Sequence, residues 1–395
     1  MRNWPRKSAL VCGTISLLAA AAPGPAKAPA IALLDSADVA QWQAWTKDLG
    51  WKVIAPPASA QTTGIDARVQ ALDAAVHDAI RDAVVDPGRI YLAGRGESSA
   101  SVFYAISRIP DLWAAGLALG GSPEAAVTTG RVFAANFTNA PVLWVSAGAL
   151  DSELAAKLKK AGVNLEWRAS TGITNAAILE WLLQHQLDEF PASIDCETNS
   201  PAFGRCYWIR MTKFDPTERN DVLPVTRVPS GSGASLDLGN FGFKPDDPGP
   251  GLLVSFLGEK YNGPLKMGDR IVELEGKPIE NARQYKETMN QKVEDRRVVV
   301  MVQRGKDRVR LETNIVVPRR DPAVTARVQA RFDAEARQIE IISRVVTEMR
   351  VTVPAHWVPG SLNWNGLSID EIKKPGCVLL TIDKELLHAA ACDAN

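Results

Sequence analysis

Three hydroxyls, Ser98, Ser99 and Ser101, follow at once on the glycine-bounded turn Gly94-Arg95-Gly96. A serine so placed is a candidate for acyl transfer. That chemistry also needs a base within hydrogen-bond reach and N–H donors aimed at the developing oxyanion. Bases are scarce. The chain has four histidines, His77, His185, His356 and His388; the first two fall in expected helices, where a solvated or core role suits them, and the other two lie far along the chain. The serines have a structural reading as well: at a helix start a hydroxyl caps free N–H groups, and a residue two positions along is turned about 200° round the axis. Cysteine and histidine spacing offers no metal site.

The elements that must position these serines are legible. Arg89 to Ala93 is a short apolar run, Gly94 ends it, Glu97 to Arg108 has a helical pattern, and Trp113 to Leu119 reads as the next parallel strand. This strand, sharp turn and helix resemble the elbow of the α/β-hydrolases, in particular their secreted esterases and prolyl-oligopeptidase-like peptidases, where G-x-S-x-G presents the nucleophile. The resemblance sets Gly94-Arg95-Gly96-Glu97-Ser98 on that pentapeptide, so Gly96 holds the nucleophile position. It sets Asp151, which closes Gly148-Ala149-Leu150-Asp151, on the triad acid, and Ile173, within Thr171-Gly172-Ile173-Thr174-Asn175, on the histidine. Leu34-Asp35-Ser36 stands where a His-Gly oxyanion loop is usual, and Glu97 adds a carboxylate where negative charge would accumulate. The resemblance therefore implies a hydrolase fold with a degenerate triad, Ser98 being the fallback nucleophile.

It covers residues 29–190, where strand and helix alternate. Ala30 to Leu34, Trp51 to Ala55, Pro141 to Ser146 and Val163 to Arg168 are further strands; Asp38 to Leu49, Ile65 to Val84, Ser152 to Ala161 and Thr174 to Gln186 are helices. Within the second helix Val69, Leu72, Val76 and Ile80 recur at helical spacing. Such alternation predicts an α/β class, a parallel sheet covered on both faces by right-handed crossovers.

Composition adds limits. The 395 residues suffice for two or three cores, and 45 basic against 45 acidic side chains give a formal charge of zero, which points to no nucleic-acid or acidic-lipid partner. Arg2, Arg6 and Lys7 precede the apolar segment Ala9 to Ala22 and then PGPAKAPA, the layout of a signal peptide over residues 1–28. Cleavage after Ala28, cleavage within Ala19 to Ala22 and an uncleaved anchor are the alternatives. Cleavage implies a periplasmic or secreted protein with no membrane segment. Cys12 would leave with the signal, and Cys196, Cys206, Cys377 and Cys392 form an even set suited to an oxidising compartment. Of three connectivities, pairing each with its near neighbour is the simplest; buried free thiols are the alternative.

Residues 191–232 read as a β hairpin and linker. Ser193 to Met211 holds two strands around a loop, with Tyr207-Trp208 in a strand, and PSGSGAS (Pro229 to Ser235) marks a boundary. Residues 233–318 resemble a PDZ domain of the bacterial protease-associated type, through GLLVSF (Gly251 to Phe256), PLKMGDRIVELEGKPI (Pro264 to Ile279) and the hairpin around Arg304-Gly305-Lys306. That family adds a peptide C-terminus to a sheet edge and holds its carboxylate on the backbone of an x-Φ-G-Φ loop. The resemblance implies Asn240, Phe241, Gly242 and Phe243 as that loop, with Tyr285 and Met289 on the helix Ala282 to Gln291 as the other wall. Packing of the loop in a core is the competing role.

Residues 319–395 read as a small β module. Pro322 to Glu335 is ambiguous between helix and strand; Arg337 to Ile342, Val345 to Val353 and Cys377 to Asp383 are strands. The module is expected to pair with the Tyr207-Trp208 strand. Trp357 and Trp364 are either a ligand platform or core. The functional expectation is an exported, catalytically inactive hydrolase-fold protein that binds peptide or protein C-termini and uses no cofactor. The alternative is an active secreted serine esterase or peptidase whose PDZ recruits substrate.

Overall fold

The computed structural model describes residues 27–147, 149–218, 233–244, 247–292, 294–317, 324–383 and 386–393. Residues 1–26 of the expected signal peptide and residues 219–232, the end of the expected hairpin and linker, lie outside them.

The first unit is a six-stranded parallel sheet of β1 (Ala28–Leu33), β2 (Lys52–Ile54), β3 (Val85–Arg95), β4 (Ala115–Leu119), β5 (Val142–Ser146) and β6 (Leu165–Ala169), in the order β2-β1-β3-β4-β5-β6. Period-two alternation sends Ile90, Leu92, Val142 and Trp144 to one face and Tyr91, Ala93, Leu143 and Val145 to the other. The helices are α1 (Val39–Thr46), α2 (Ile65–Arg81), α3 (Ser99–Arg108), α4 (Glu124–Thr128), α5 (Ala149–Lys160) and α6 (Asn175–Leu183). α2, α3 and α5 pack on the first face, through Val69, Leu72, Val102 and Leu158; α1 and α6 pack on the second, through Trp42, Ile178 and Trp181. β1 therefore feeds one face and β3 the other. Between their carboxyl ends lies the crevice where open α/β sheets bind ligands.

Several boundaries differ from the periodicity. The Glu97 to Arg108 helix begins as a 3-10 turn over Gly96–Ser98 and becomes α-helical only at Ser99. The Asp38 to Leu49 helix is α-helical only over α1, with 3-10 turns at either end. α2 stops at Arg81 rather than Val84, β4 starts at Ala115 rather than Trp113, and α6 ends before His185.

An antiparallel unit follows: β10 (Ser235–Leu236), β11 (Phe241–Phe243), β12 (Leu252–Leu257), β13 (Arg270–Leu274), β14 (Lys277–Pro278), β15 (Arg296–Arg304) and β16 (Asp307–Val316), with α7 (Ala282–Asn290). Their order is β10-β16-β15-β13-β12-β11, with β14 on β13. Gly305 and Lys306 form a two-residue hairpin loop, since Arg304 pairs directly with Asp307.

Strands from both sides of this unit build two five-stranded sheets. One is β21 (Leu367–Ile372), β20 (Gly360–Trp364), β18 (Gln338–Arg344), β17 (Ala326–Asp333) and β7 (Ser193–Thr198); the other is β23 (Leu386–Cys392), β22 (Gly376–Asp383), β19 (Val346–Val353), β9 (Ile209–Phe214) and β8 (Arg205–Cys206). The ambiguous Pro322 to Glu335 segment is thus a strand from Ala326. Tyr207 and Trp208 are not in a strand: they form the turn between β8 and β9, Tyr207 at φ +53°, and it is β9 that pairs with β19. Trp357 (3% exposed) and Trp364 (0%) are core, which removes the ligand platform. Disulfides join Cys196 to Cys206 and Cys377 to Cys392, the near-neighbour pairing.

Polar contacts bind the first unit to these sheets. Arg205 of β8 pairs with Asp73 of α2 (2.6 Å) and with Asp111, whose side chain is 8% exposed. Buried Asn136 donates to Ser107 O and Glu197 O and accepts from Glu197 N. His77 Nδ1 lies 3.2 Å from the Asp73 carboxylate. That hydrogen bond raises the imidazole pKa above its ordinary 6.5 against the opposing effect of burial. A raised folded-state value adds stability that is full below 6.5 and disappears as pH climbs through the folded value. His77→Gln is therefore expected to flatten the pH dependence of the unfolding midpoint, the deficit reaching about 0.5 kcal/mol near about pH 5 because the site is half exposed; an unchanged pH slope contradicts the pairing.

Candidate functional site

The turn after β3 lies beside the sheet's crevice. Gly96 sits at φ +52°, a conformation that side chains rarely adopt, and a Cβ there would meet no atom within 4 Å. Gly121, after β4, is required by close approach: a Cβ would stand 1.7 Å from Gly96 O. The left-handed turn is thus built, with no side chain on it.

Gly96 and Ile173 face one cavity of about 390 Å³ at the carboxyl ends of β3, β4 and β5. Its apolar wall comes from Trp42 and Trp45 of α1, Leu119, Val145, Ile173 and Ile178; Gln41, Arg95, Ser170 and Asn175 supply polar groups. The two indoles meet edge to face at 5.1 Å. Trp42 is 2% exposed and its Nε1 has no hydrogen-bond partner among the described residues. Among the described residues Arg95 is the one charged side chain on the wall.

The remaining residues are not gathered there. Asp151 lies in the first turn of α5, outside the cavity wall, and Gly148 falls outside the described residues. No histidine lines the cavity: His77 is on α2, His185 lies tilted against Trp181 with ring centres 4.2 Å apart, where burial lowers its pKa, His356 is in the 3-10 turn Ala355–Trp357 and His388 is on β23. The expected serine caps are absent. Ser99 Oγ donates to Leu119 O (3.1 Å), Ser101 Oγ donates to Asp35 Oδ2 (3.0 Å), and half-buried Ser98 makes no capping bond. Asp35 is also paired with Arg68 at 2.6 Å, so the loop after β1 is closed by a neutralised carboxylate. Sequence reasoning missed Trp42, Trp45 and Arg95, because their convergence depends on where α1 crosses the sheet.

A second place with recognisable chemistry is the outer edge of the antiparallel unit. β11 pairs with β12 on one side, and its other edge pairs with no strand among the described residues. Phe243 meets Tyr285 of α7 edge to face at 5.8 Å. Phe241 and Phe243 are half-buried while Tyr285 (6%) and Met289 (2%) are buried, so the helix residues form the floor rather than an open wall. Burial pushes the Tyr285 phenol up to about 12. Asn240 accepts from Gly258 N, which anchors the start of β11. α7 is also tied to the first unit, through Arg283 and Glu153 at 2.7 Å.

Among the described residues no cluster of three or more His, Cys, Asp or Glu side chains could hold a metal, and no helix is long and apolar enough to cross a membrane.

No protein-family model and no curated protein matches the chain. Solved structures similar to it include esterase PE8, at 18% identity and TM-score 0.29 over 41% of this chain and 92% of that one. A SOBER1 variant from Arabidopsis thaliana is 16% identical, with TM-score 0.30 over 40% of this chain and 99% of that one. Thermogutta terrifontis esterase 2, phosphoramylated by tabun, is 15% identical, with TM-score 0.29 over 40% and 81%. Likeness at this level carries no weight by itself. The six-stranded parallel sheet with helices on both faces fits an α/β-hydrolase fold on its own topology.

Proposed function

We propose that this chain is an exported, non-catalytic hydrolase-fold protein whose residues 233–318 form a PDZ-like domain that binds the free C-terminus of a peptide or protein. The observation that carries the reading is the unpaired outer edge of β11 beside α7. An extended peptide added there gains main-chain hydrogen bonds, and its carboxylate reaches the N–H groups at Asn240 to Phe243. What supports the non-catalytic part is the pairing of a glycine and an isoleucine on the cavity wall, with no imidazole beside them. The hydroxyl of Ser170, on the same wall, has no imidazole to take its proton, so acyl transfer lacks an activated nucleophile. The two disulfides are consistent with export.

The test is calorimetric titration of the full chain with hexapeptides ending in a free apolar residue and with the same peptides amidated. Saturable binding that amidation weakens at least about tenfold is expected; equal binding of both forms defeats the proposal.

A second reading is favoured by one observation: Ser98 is half-buried, makes no capping bond and lies two residues from Gly96. Under it the chain is a serine esterase or peptidase with a relocated nucleophile. Fluorophosphonate labelling separates the two, with no adduct expected and a stoichiometric adduct on Ser98 establishing the enzyme.

A further inference from the structure

We propose that the cavity between β3 and α6 holds, intact and non-covalently, a small monocarboxylic acid with an aromatic or branched aliphatic body. The inference rests on the non-catalytic reading of that cavity and is independent of peptide binding at β11.

The volume, about 390 Å³, lies within the roughly 300–1,000 Å³ of small-molecule sites. Trp42, Trp45, Ile173 and Ile178 offer flat and branched apolar surface suited to a ring or a branched chain. Nothing on the backbone turn fills the space: a Cβ on Gly96 would touch no atom. A serine there would bring an oxygen into that space, and glycine leaves it to the ligand.

Charge selects the head group. Arg95 is exposed, forms no ion pair among the described residues and is the sole charged group on the wall. Glu97, the nearest carboxylate in sequence, is exposed and not part of the wall. A guanidinium with no carboxylate on the same wall favours a planar carboxylate, which it binds through two parallel N–H bonds. Because no base converges on Ser170, the hydroxyl on this wall, no bond forms or breaks and the ligand leaves unchanged.

The experiment is calorimetric titration of the full chain with phenylacetate, indole-3-acetate and isovalerate, with phenylacetamide as the neutral control. At least one acid is expected to bind one to one, and phenylacetate at least tenfold more tightly than its amide if it is that acid. Arg95→Gln, an exposed change that leaves the core intact, is expected to remove at least tenfold of the acid's affinity. Ile173→Trp, which fills the cavity from its half-buried rim, is expected to abolish binding altogether. Saturation by none of the three acids overturns the proposal, as does unchanged affinity in Arg95→Gln. Methyl phenylacetate distinguishes this failure from that of the underlying reading: release of methanol makes the acid a product and overturns both.

Discussion

Arg205→Met is expected to lower stability by about 3 kcal/mol, read as a fall in the urea midpoint of the transition that separates the first unit from the five-stranded sheets. The guanidinium is three-quarters covered and serves two carboxylates on a different unit, Asp73 at 2.6 Å and the nearly buried Asp111. Removing it leaves Asp111 with a buried charge and no cation; its Oδ1 is already without a hydrogen bond among the described residues. An uncompensated charge of that kind costs more than an exposed ion pair contributes. Arg205→Lys is expected to recover only part of the loss, because an ammonium cannot bridge both partners with a planar fork.

The same contact sets an acid limit. Burial by itself would raise the Asp73 pKa, but hydrogen bonds from His77 and Arg205 hold it below 3.8. A depressed carboxylate contributes stability above its unfolded value and loses it as pH falls through the folded one. The gap between wild type and Arg205→Met should therefore narrow below about pH 4. A gap of constant size down to about pH 2 contradicts the assignment.

The second large effect is loss of the Cys196–Cys206 disulfide. The double alanine variant is expected to be about 3 kcal/mol less stable, with the Cys377–Cys392 variant losing clearly less. Loop length argues weakly for the reverse order, since separations of 10 and 15 residues differ by only about 0.4 kcal/mol in closure entropy. Position decides. Cys196 (2% exposed) is on β7 of one five-stranded sheet and Cys206 (0%) on β8 of the other, so this bond ties two layers across a core. Cys377 and Cys392 face each other on β22 and β23, strands already joined by a backbone ladder. Equal losses, measured by denaturant unfolding under oxidising conditions, would show that the inter-layer link is not what matters.

Periodicity was enough for the alternating strands and helices of the first unit, because a sheet buried on both faces needs apolar runs and its helices need a 3.6-residue stripe. It failed at Tyr207 and Trp208. Aromatic side chains read as strand, yet the tight β8–β9 hairpin needs a residue at positive φ there, and Trp208 points into the core with its Nε1 donating to Pro191 O. It failed also at Ser98, Ser99 and Ser101, whose hydroxyls are claimed by Leu119 O and Asp35 or by no cap, since the 3-10 turn displaces the first free N–H groups of the helix.

Residue types alone determined that Gly96 and Ile173 bring neither a nucleophile nor a base, and that four cysteines could close two local loops, because those properties belong to side-chain chemistry and need no partner. Only the tertiary structure decided that these two positions share a cavity, that Trp42, Trp45 and Arg95 complete it, that β11 pairs on one edge only among the described residues, and that Arg205 clamps two units. Each of those depends on which residues far apart in sequence are brought within a few ångströms, and that is set by the order of strands and the faces their helices cover.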